Sequence, residues 1–259
     1  MRKRTEATVI NISRMKAECR DCTLRTICVF GLSTAEFDSA LDEAGGLVKR
    51  RHQLRKGDVL YRLGDPLRAL FAVRRGTLKT TGLMEDGRAQ VTGFHLPGEV
   101  LGVDAINAAQ YPCSAEALES AEVCEIPYGD LEALTQRVQG LPQALMRMMS
   151  REIVRDEQLV MMLGRMTAEE RLASCLLSFS RRQATLGMSA TQLRLAMSRQ
   201  DLGDYLGLAL ETVSRLLSHM QVEGLLSVRG RDVHLHDLVR LQAMTGSTSG
   251  DDHGAARHT

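Results

Sequence analysis

Cys19, Cys22 and Cys28 fall within ten residues of one another, separated by two and five residues. Thiolates that close together hold a single soft metal centre. The spacing suits four-coordinate zinc and a cubane iron–sulfur cluster equally well. Both need a fourth ligand from further along the chain, and Cys113 and Cys124 offer the same chemistry. The start of the chain, MRKRTEATVINISRMK, is basic but lacks the apolar core of a signal peptide. No apolar run is long enough to span a bilayer. The expected compartment is therefore the reducing cytoplasm, away from membranes. A disulfide framework is not expected there, and the three cysteines point to metal or redox chemistry.

A second group of chemically able residues lies in SRQDLGDYLGLALETVSRLLSHMQ, from Ser198 to Gln221. A first helix would turn Leu202, Tyr205 and Leu206 inward, and Gly207 would supply the break of a tight turn. A second would bury Val213, Leu216, Leu217 and Met220 and present Glu211, Thr212, Ser214 and Arg215 outward. Two helices joined by a glycine turn make a helix-turn-helix. On that face Arg215 suits guanine O6 and N7, and Glu211 suits the cytosine amino group. Ser214 is short enough to let the helix approach the bases. Arg229 and Arg231, in the segment that follows, are placed to reach phosphates.

The third feature is a stripe with one member out of character. Met146, Met149, Ile153, Asp156, Val160 and Leu163 recur at spacings of three and four, the pattern of a coiled-coil seam. In a two-fold dimer Asp156 meets its own copy, and two facing carboxylates repel and are costly to desolvate. The alternative is that Asp156 pairs with Arg155 or another nearby arginine.

The elements that position these residues follow from the surrounding composition. Residues 46–135 carry glycine at short intervals between short apolar runs, which predicts an all-β barrel or sandwich with a hairpin turn at Glu85-Asp86-Gly87. Residues 31–45 read as a short amphipathic helix carrying Phe37 and Leu41, and residues 141–166 as one long helix. Residues 167–240 are helical and then alternate around Gly230 as a small hairpin; residues 246–259 are small, polar and expected to be disordered. The net charge of +1 gives no global basic signal, so DNA binding must rest on a local surface. The absence of Trp argues against stacked platforms for single strands. Scattered histidines, with no nucleophile elbow and no phosphate-binding loop, give no case for an enzyme.

The stretch Asp201-Leu-Gly-Asp-Tyr-Leu-Gly-Leu-Ala-Leu-Glu-Thr-Val-Ser-Arg-Leu-Leu217 resembles the winged helix of the CRP/FNR superfamily. Glu211-x-x-Ser214-Arg215 is similar to the base-reading triplet of its FNR branch. Gly93-Phe-His-Leu96, Val123-Cys-Glu-Ile-Pro127, Ala168-Glu-Glu-Arg-Leu172 and Leu177-Ser-Phe-Ser-Arg-Arg182 extend the resemblance over roughly residues 15–240.

The resemblance implies an α+β fold: an N-terminal double-stranded β-helix (a β-roll or jelly roll like those that bind cyclic nucleotides), a long dimerisation helix and a C-terminal winged helix-turn-helix. The segments become a cluster-binding stretch at 1–30, a sensor at 31–140, the dimerisation helix at 141–166, the DNA-binding domain at 167–245 and a tail at 246–259. It implies a 4Fe-4S cluster on Cys19, Cys22, Cys28 and, as distant ligand, Cys124, with Cys113 and Cys175 left structural. It further implies an oxygen-responsive regulator of anaerobic genes, a homodimer on an inverted repeat of the TTGAT type in double-stranded DNA. RNA polymerase would be met by β-roll loops, Glu85-Asp86-Gly87 among them. The switch would lie in Ile153 and Asp156, with the cluster offsetting the compromised seam.

Three rivals are chemical. Zinc in place of iron–sulfur would give a constitutive DNA-binding protein. Cyclic AMP needs a cation for its phosphate, yet Gly98 to Ala117 contains no Arg or Lys, and Cys113 stands where the CRP branch carries Arg. Haem would take His95 as axial ligand.

Overall fold

The computed structural model describes residues 8–9, 48, 50–138 and 140–246. Cys19, Cys22 and Cys28, the helix expected over 31–45 and the tail from 247 onward lie outside the described residues. The chain divides into two compact units, Met1–Asp156 and Glu157–Thr259.

The first unit is built on β1 (Thr8–Val9), β2 (Arg50–Leu54), β3 (Val59–Tyr61), β4 (Ala69–Arg75), β5 (Leu78–Leu83), β6 (Ala89–His95), β7 (Val100–Leu101), β8 (Ser114–Ala117) and β9 (Ala121–Pro127). They form two sheets, ordered β1-β2-β9-β4-β7 and β3-β8-β5-β6. Every pairing is antiparallel, and β9 lies between two strands from far earlier in the chain, so the chain winds back and forth as a β-roll.

Strand alternation sorts the side chains into two cores. Between the sheets lie Ala69, Phe71 and Val73 of β4 with Ala121 and Val123 of β9. On the outer face of the five-stranded sheet, Leu70, Ala72 and Ile126 pack with Leu131, Leu134, Leu141 and Met148. With both faces covered, β4 reads as an uninterrupted apolar run rather than an alternating one.

The covering elements are α1 (Tyr128–Thr135) and the start of α2 (Leu141–Arg165). Sequence reading extended the β region to residue 135 and missed α1. It is only eight residues long, with a short apolar repeat in Leu131 and Leu134, and burial on the sheet is what supports it. The long helix expected from residue 141 is continuous.

The second unit contains α3 (Ala168–Thr185), β10 (Gln192–Arg194), α4 (Arg199–Leu206), α5 (Leu210–Val222), β11 (Leu226–Arg229), β12 (Asp232–Leu235) and α6 (Leu238–Met244). Capping boxes open α3 and α4: Thr167 with Glu170, and Ser198 with Asp201. Leu172, Leu176, Leu202, Leu206 and Met220 are fully buried. Each such side chain contributes about 1.5–3 kcal/mol through burial. The hairpin expected around Gly230 is present and gains a third strand, giving the order β10-β12-β11. Strand β10 and helix α6 are too short to show a sequence period, and neither was anticipated.

Candidate functional site

Helices α4 and α5 form the helix-turn-helix. Gly207 ends α4 in the left-handed conformation, at φ 65°, which a residue with a side chain adopts only at a cost. Gly203 has a different role: a Cβ there would meet the Leu208 carbonyl oxygen at 2.5 Å. The tight approach of turn to helix therefore excludes any side chain at 203. Val213, Leu217 and Met220 of α5 are buried as expected, whereas Leu216 and Tyr205 are only partly covered.

Glu211 and Arg215 are exposed on α5 and Ser214 is half-buried beside them. The Arg215 Nε donates to the Glu211 carbonyl at 3.4 Å, so the guanidinium lies back along its own helix. Arg199, at the start of α4, donates to Ser214 Oγ at 3.1 Å. Sequence reading missed Arg199 because its partner is fifteen residues away and on another helix. Arg229 and Arg231 are exposed at the end of the β11–β12 hairpin.

A second missed residue supports this unit from below. Arg171 donates to three carbonyls, those of Met166 at 3.0 Å, Leu206 at 3.1 Å and Leu163 at 2.8 Å. It thus ties the last turns of α2 to the last turn of α4. The carbonyls at a helix C-terminus lack intrahelical partners, and a guanidinium with several donors satisfies them.

Of the four candidate ligand cysteines, only Cys124 is described. It is half-buried on β9, paired in register with Arg51 of β2 and Ala72 of β4. It packs against the apolar cluster that contains Leu141 and Met148 of α2. Cys113 points the opposite way, into the core between the sheets, and its thiol donates to Asp104 at 3.5 Å. Burial, helped by the Asp104 charge, pushes the Cys113 thiol up to about 12, so it stays protonated at neutral pH. Burial likewise raises Cys175 to about 12. Among the described residues, no group of three or more His, Cys, Asp and Glu is arranged to hold a metal ion. The donor chemistry of the accessible thiol nonetheless suits a thiolate-bound centre, whereas neither buried thiol does.

The interior of the β-roll is filled with protein. Tyr61 and Tyr111 stack at 3.9 Å between ring centroids, and Tyr111 donates to the Ala69 carbonyl at 2.6 Å. With Cys113 buried beside them, the place where a cyclic nucleotide would need a cation is apolar and aromatic. His95 is hydrogen-bonded to Thr80 at 3.2 Å, the ordinary role of a half-buried strand histidine.

Along α2, Met146, Met149, Ile153 and Val160 are exposed, at 68, 40, 56 and 69 %. A continuous apolar stripe of that extent is a mark of an interaction surface. Asp156 lies on it, also exposed.

Residues 51–138 match the family described as Cyclic nucleotide-binding domain, and residues 170–244 the Crp-like helix-turn-helix domain. The chain is 46% identical over 231 residues to the transcriptional activator protein anr of Pseudomonas aeruginosa, covering 89% of this chain and 93% of that protein. It is 43% identical to the anaerobic regulatory protein of Pasteurella multocida, covering 89% and 83% of the two chains. The chain belongs to the FNR branch of the CRP/FNR family. The solved structure of FixK2 from Bradyrhizobium japonicum superposes with a TM-score of 0.70 at 34% identity, over 77% of this chain and 98% of that one. CRP/FNR members are DNA-binding transcription regulators, and the α+β arrangement of β-roll, long helix and helix-turn-helix is theirs. No described helix of this member is long and apolar enough to cross a membrane.

Proposed function

We propose that this chain holds a 4Fe-4S cluster on Cys19, Cys22, Cys28 and Cys124, and binds an inverted repeat in double-stranded DNA as a homodimer while the cluster is present. The family carries the coarser statement: the chain is an oxygen-responsive, DNA-binding transcription regulator. Its segments would then be the cluster-binding stretch at 1–30, the sensor at 31–140, the dimerisation helix at 141–166 and the DNA-binding domain at 167–245. Its place of action is the cytoplasm.

The observation that carries the finer reading is the position of Cys124. It sits on the outer sheet face against the same apolar cluster that beds Leu141 and Met148 of α2. A ligand there ties the sensing centre to the packing of the dimerisation helix. Bound to these thiolates, a cluster would supply sensitivity to oxygen.

The protein's own residues do the rest. Leu141 and Met148 hold α2 on the sheet, so Met146, Met149, Ile153 and Val160 are presented together to a second copy. Asp156 opposes closure of that seam. Once closed, a dimer sets two recognition helices about 34 Å apart, one turn of DNA. Glu211, Ser214 and Arg215 read the bases, and Arg199 positions Ser214 by its hydrogen bond. The exposed Glu85-Asp86-Gly87 turn, where Arg88 grips Asp86 at 2.7 Å, is the candidate contact for RNA polymerase.

The test is the colour and iron content of protein purified without oxygen. Brown, iron-loaded protein that bleaches in air supports the reading. Colourless protein containing zinc, unchanged by air, would replace it with a constitutive zinc-stabilised regulator.

A further inference from the structure

The outer face of the three-stranded sheet in the second unit has no part in the helix-turn-helix. Strand β12 turns Val233 and Leu235 into the core and leaves Asp232 and His234 exposed, with His236 exposed just beyond its end. His234 and His236 are two residues apart on an extended chain, so their side chains rise from the same face. Their rings lie 4.5 Å apart between centroids, with planes at 63°.

The surroundings suit donation by both rings. His234 lies in register between two neutral residues, Gln192 on β10 and Ser227 on β11. His236 meets Ser227 Oγ through Nε2 at 3.1 Å, which fixes the ring and leaves Nδ1 open. The face is concave, an open cavity of about 610 Å³. Two arginines also line the cavity, Arg194 and Arg229, and they belong to the next row, where they flank Asp232. One carboxylate therefore stands between the arginines, and the imidazole row itself carries no fixed charge.

We propose that His234 and His236 form a chelating site for a late first-row divalent cation such as Ni²⁺, Cu²⁺ or Zn²⁺. Neutral imidazole is the preferred nitrogen ligand for these ions. Two donors fixed on one strand bind together with little further ordering, and water completes the coordination. The His236–Ser227 hydrogen bond is the kind of outer contact that orients a ligating ring. No described thiol lies on this face, so the site is separate from the one proposed for Cys124.

The experiment is equilibrium dialysis of the untagged full chain against Ni²⁺. The cysteines also bind this ion, so the readout is a difference between proteins. Wild type is expected to hold one more equivalent than His234→Ala and one more than His236→Ala. His219→Ala, whose ring is engaged with Glu169 at 3.1 Å, should match wild type. As a second readout, paramagnetic Ni²⁺ should broaden the imidazole proton resonances of His234 and His236 at lower concentration than those of His52 or His219. Equal stoichiometry in wild type and both β12 variants, or an equal loss in His219→Ala, overturns the proposal. So does uniform broadening of all the imidazoles.

Discussion

Arg155 on α2 pairs with Glu99, in the turn between β6 and β7, at 3.0 Å. The same guanidinium donates to Glu152 at 2.8 Å. Glu99 is held in turn by the Leu96 backbone N–H, which donates to its other carboxylate oxygen at 2.9 Å. Among the described residues Arg155 makes its ion pairs with Glu99 and Glu152, and acts on its neighbour Asp156 only as a nearby charge.

Glu99→Gln keeps the bond from Leu96 and removes the charge that Arg155 meets. A partly exposed pair of this kind contributes about 1 kcal/mol or less. A double-mutant cycle with Arg155→Ala in urea unfolding should give a coupling of that size. A coupling of zero would show that the contact holds nothing in solution.

Asp156→Ala removes the charge from the seam and leaves its spacing intact. The variant should dimerise and bind its DNA site in air, without a cluster. A change of about 3 kcal/mol shifts a dimer equilibrium more than a hundredfold. Analytical ultracentrifugation of both aerobic proteins at equal concentration decides it. If both are monomers, Asp156 is not the restraint; if both are dimers, the monomer–dimer switch itself is mistaken.

The same carboxylate carries a pH dependence. Partial desolvation first, and the Asp104 charge second, raise the exposed Asp156 from its ordinary value, against the opposing charge of Arg155. The folded chain therefore holds this proton more tightly than the unfolded chain does. The penalty of ionised Asp156 is absent below the ordinary carboxylate pKa and grows as pH rises through the raised one. In a dimer the two facing Asp156 carboxylates would raise one another further, so the dimer fraction of aerobic wild type should increase as pH falls toward the ordinary carboxylate range, while Asp156→Ala shows less change. Identical pH profiles for the two proteins would remove Asp156 from the account.

Cys22→Ala and Cys124→Ser should each abolish iron binding in protein prepared without oxygen, and specific DNA binding with it. Cys113→Ser should keep wild-type iron, because that thiol is protonated and buried in the core between the sheets. Iron lost from Cys113→Ser and kept in Cys124→Ser would reverse the ligand assignment.

Arg215→Ala should cost about 1–3 kcal/mol at the guanine it reads and much less on random DNA. Competition binding against half-site variants measures this. Uniform weakening on every sequence would mean that Arg215 holds phosphate.

Much of this protein was legible along the chain because the signals are local. Ser198-x-x-Asp201 caps a helix, Gly207 ends it, and Val213, Leu217 and Met220 repeat at helical spacing, so the helix-turn-helix needs only neighbours in sequence. Closely spaced glycines marked the turns of the β-roll for the same reason. Three decisions came only from the tertiary structure. Cys113 and Cys124 are chemically alike, and only strand register and the packing of the two cores show that one faces inward and the other toward α2. Arg155 has acidic residues close by on its own helix, yet it also reaches Glu99, fifty-six positions earlier in the chain. His234 and His236 alternate with apolar residues as any half-buried strand does. That their rings meet over a concave face depends on β10 and β11 pairing on either side. Sequence order fixes which residues share a helix turn or a strand face. Folding fixes which face is buried and what stands opposite it.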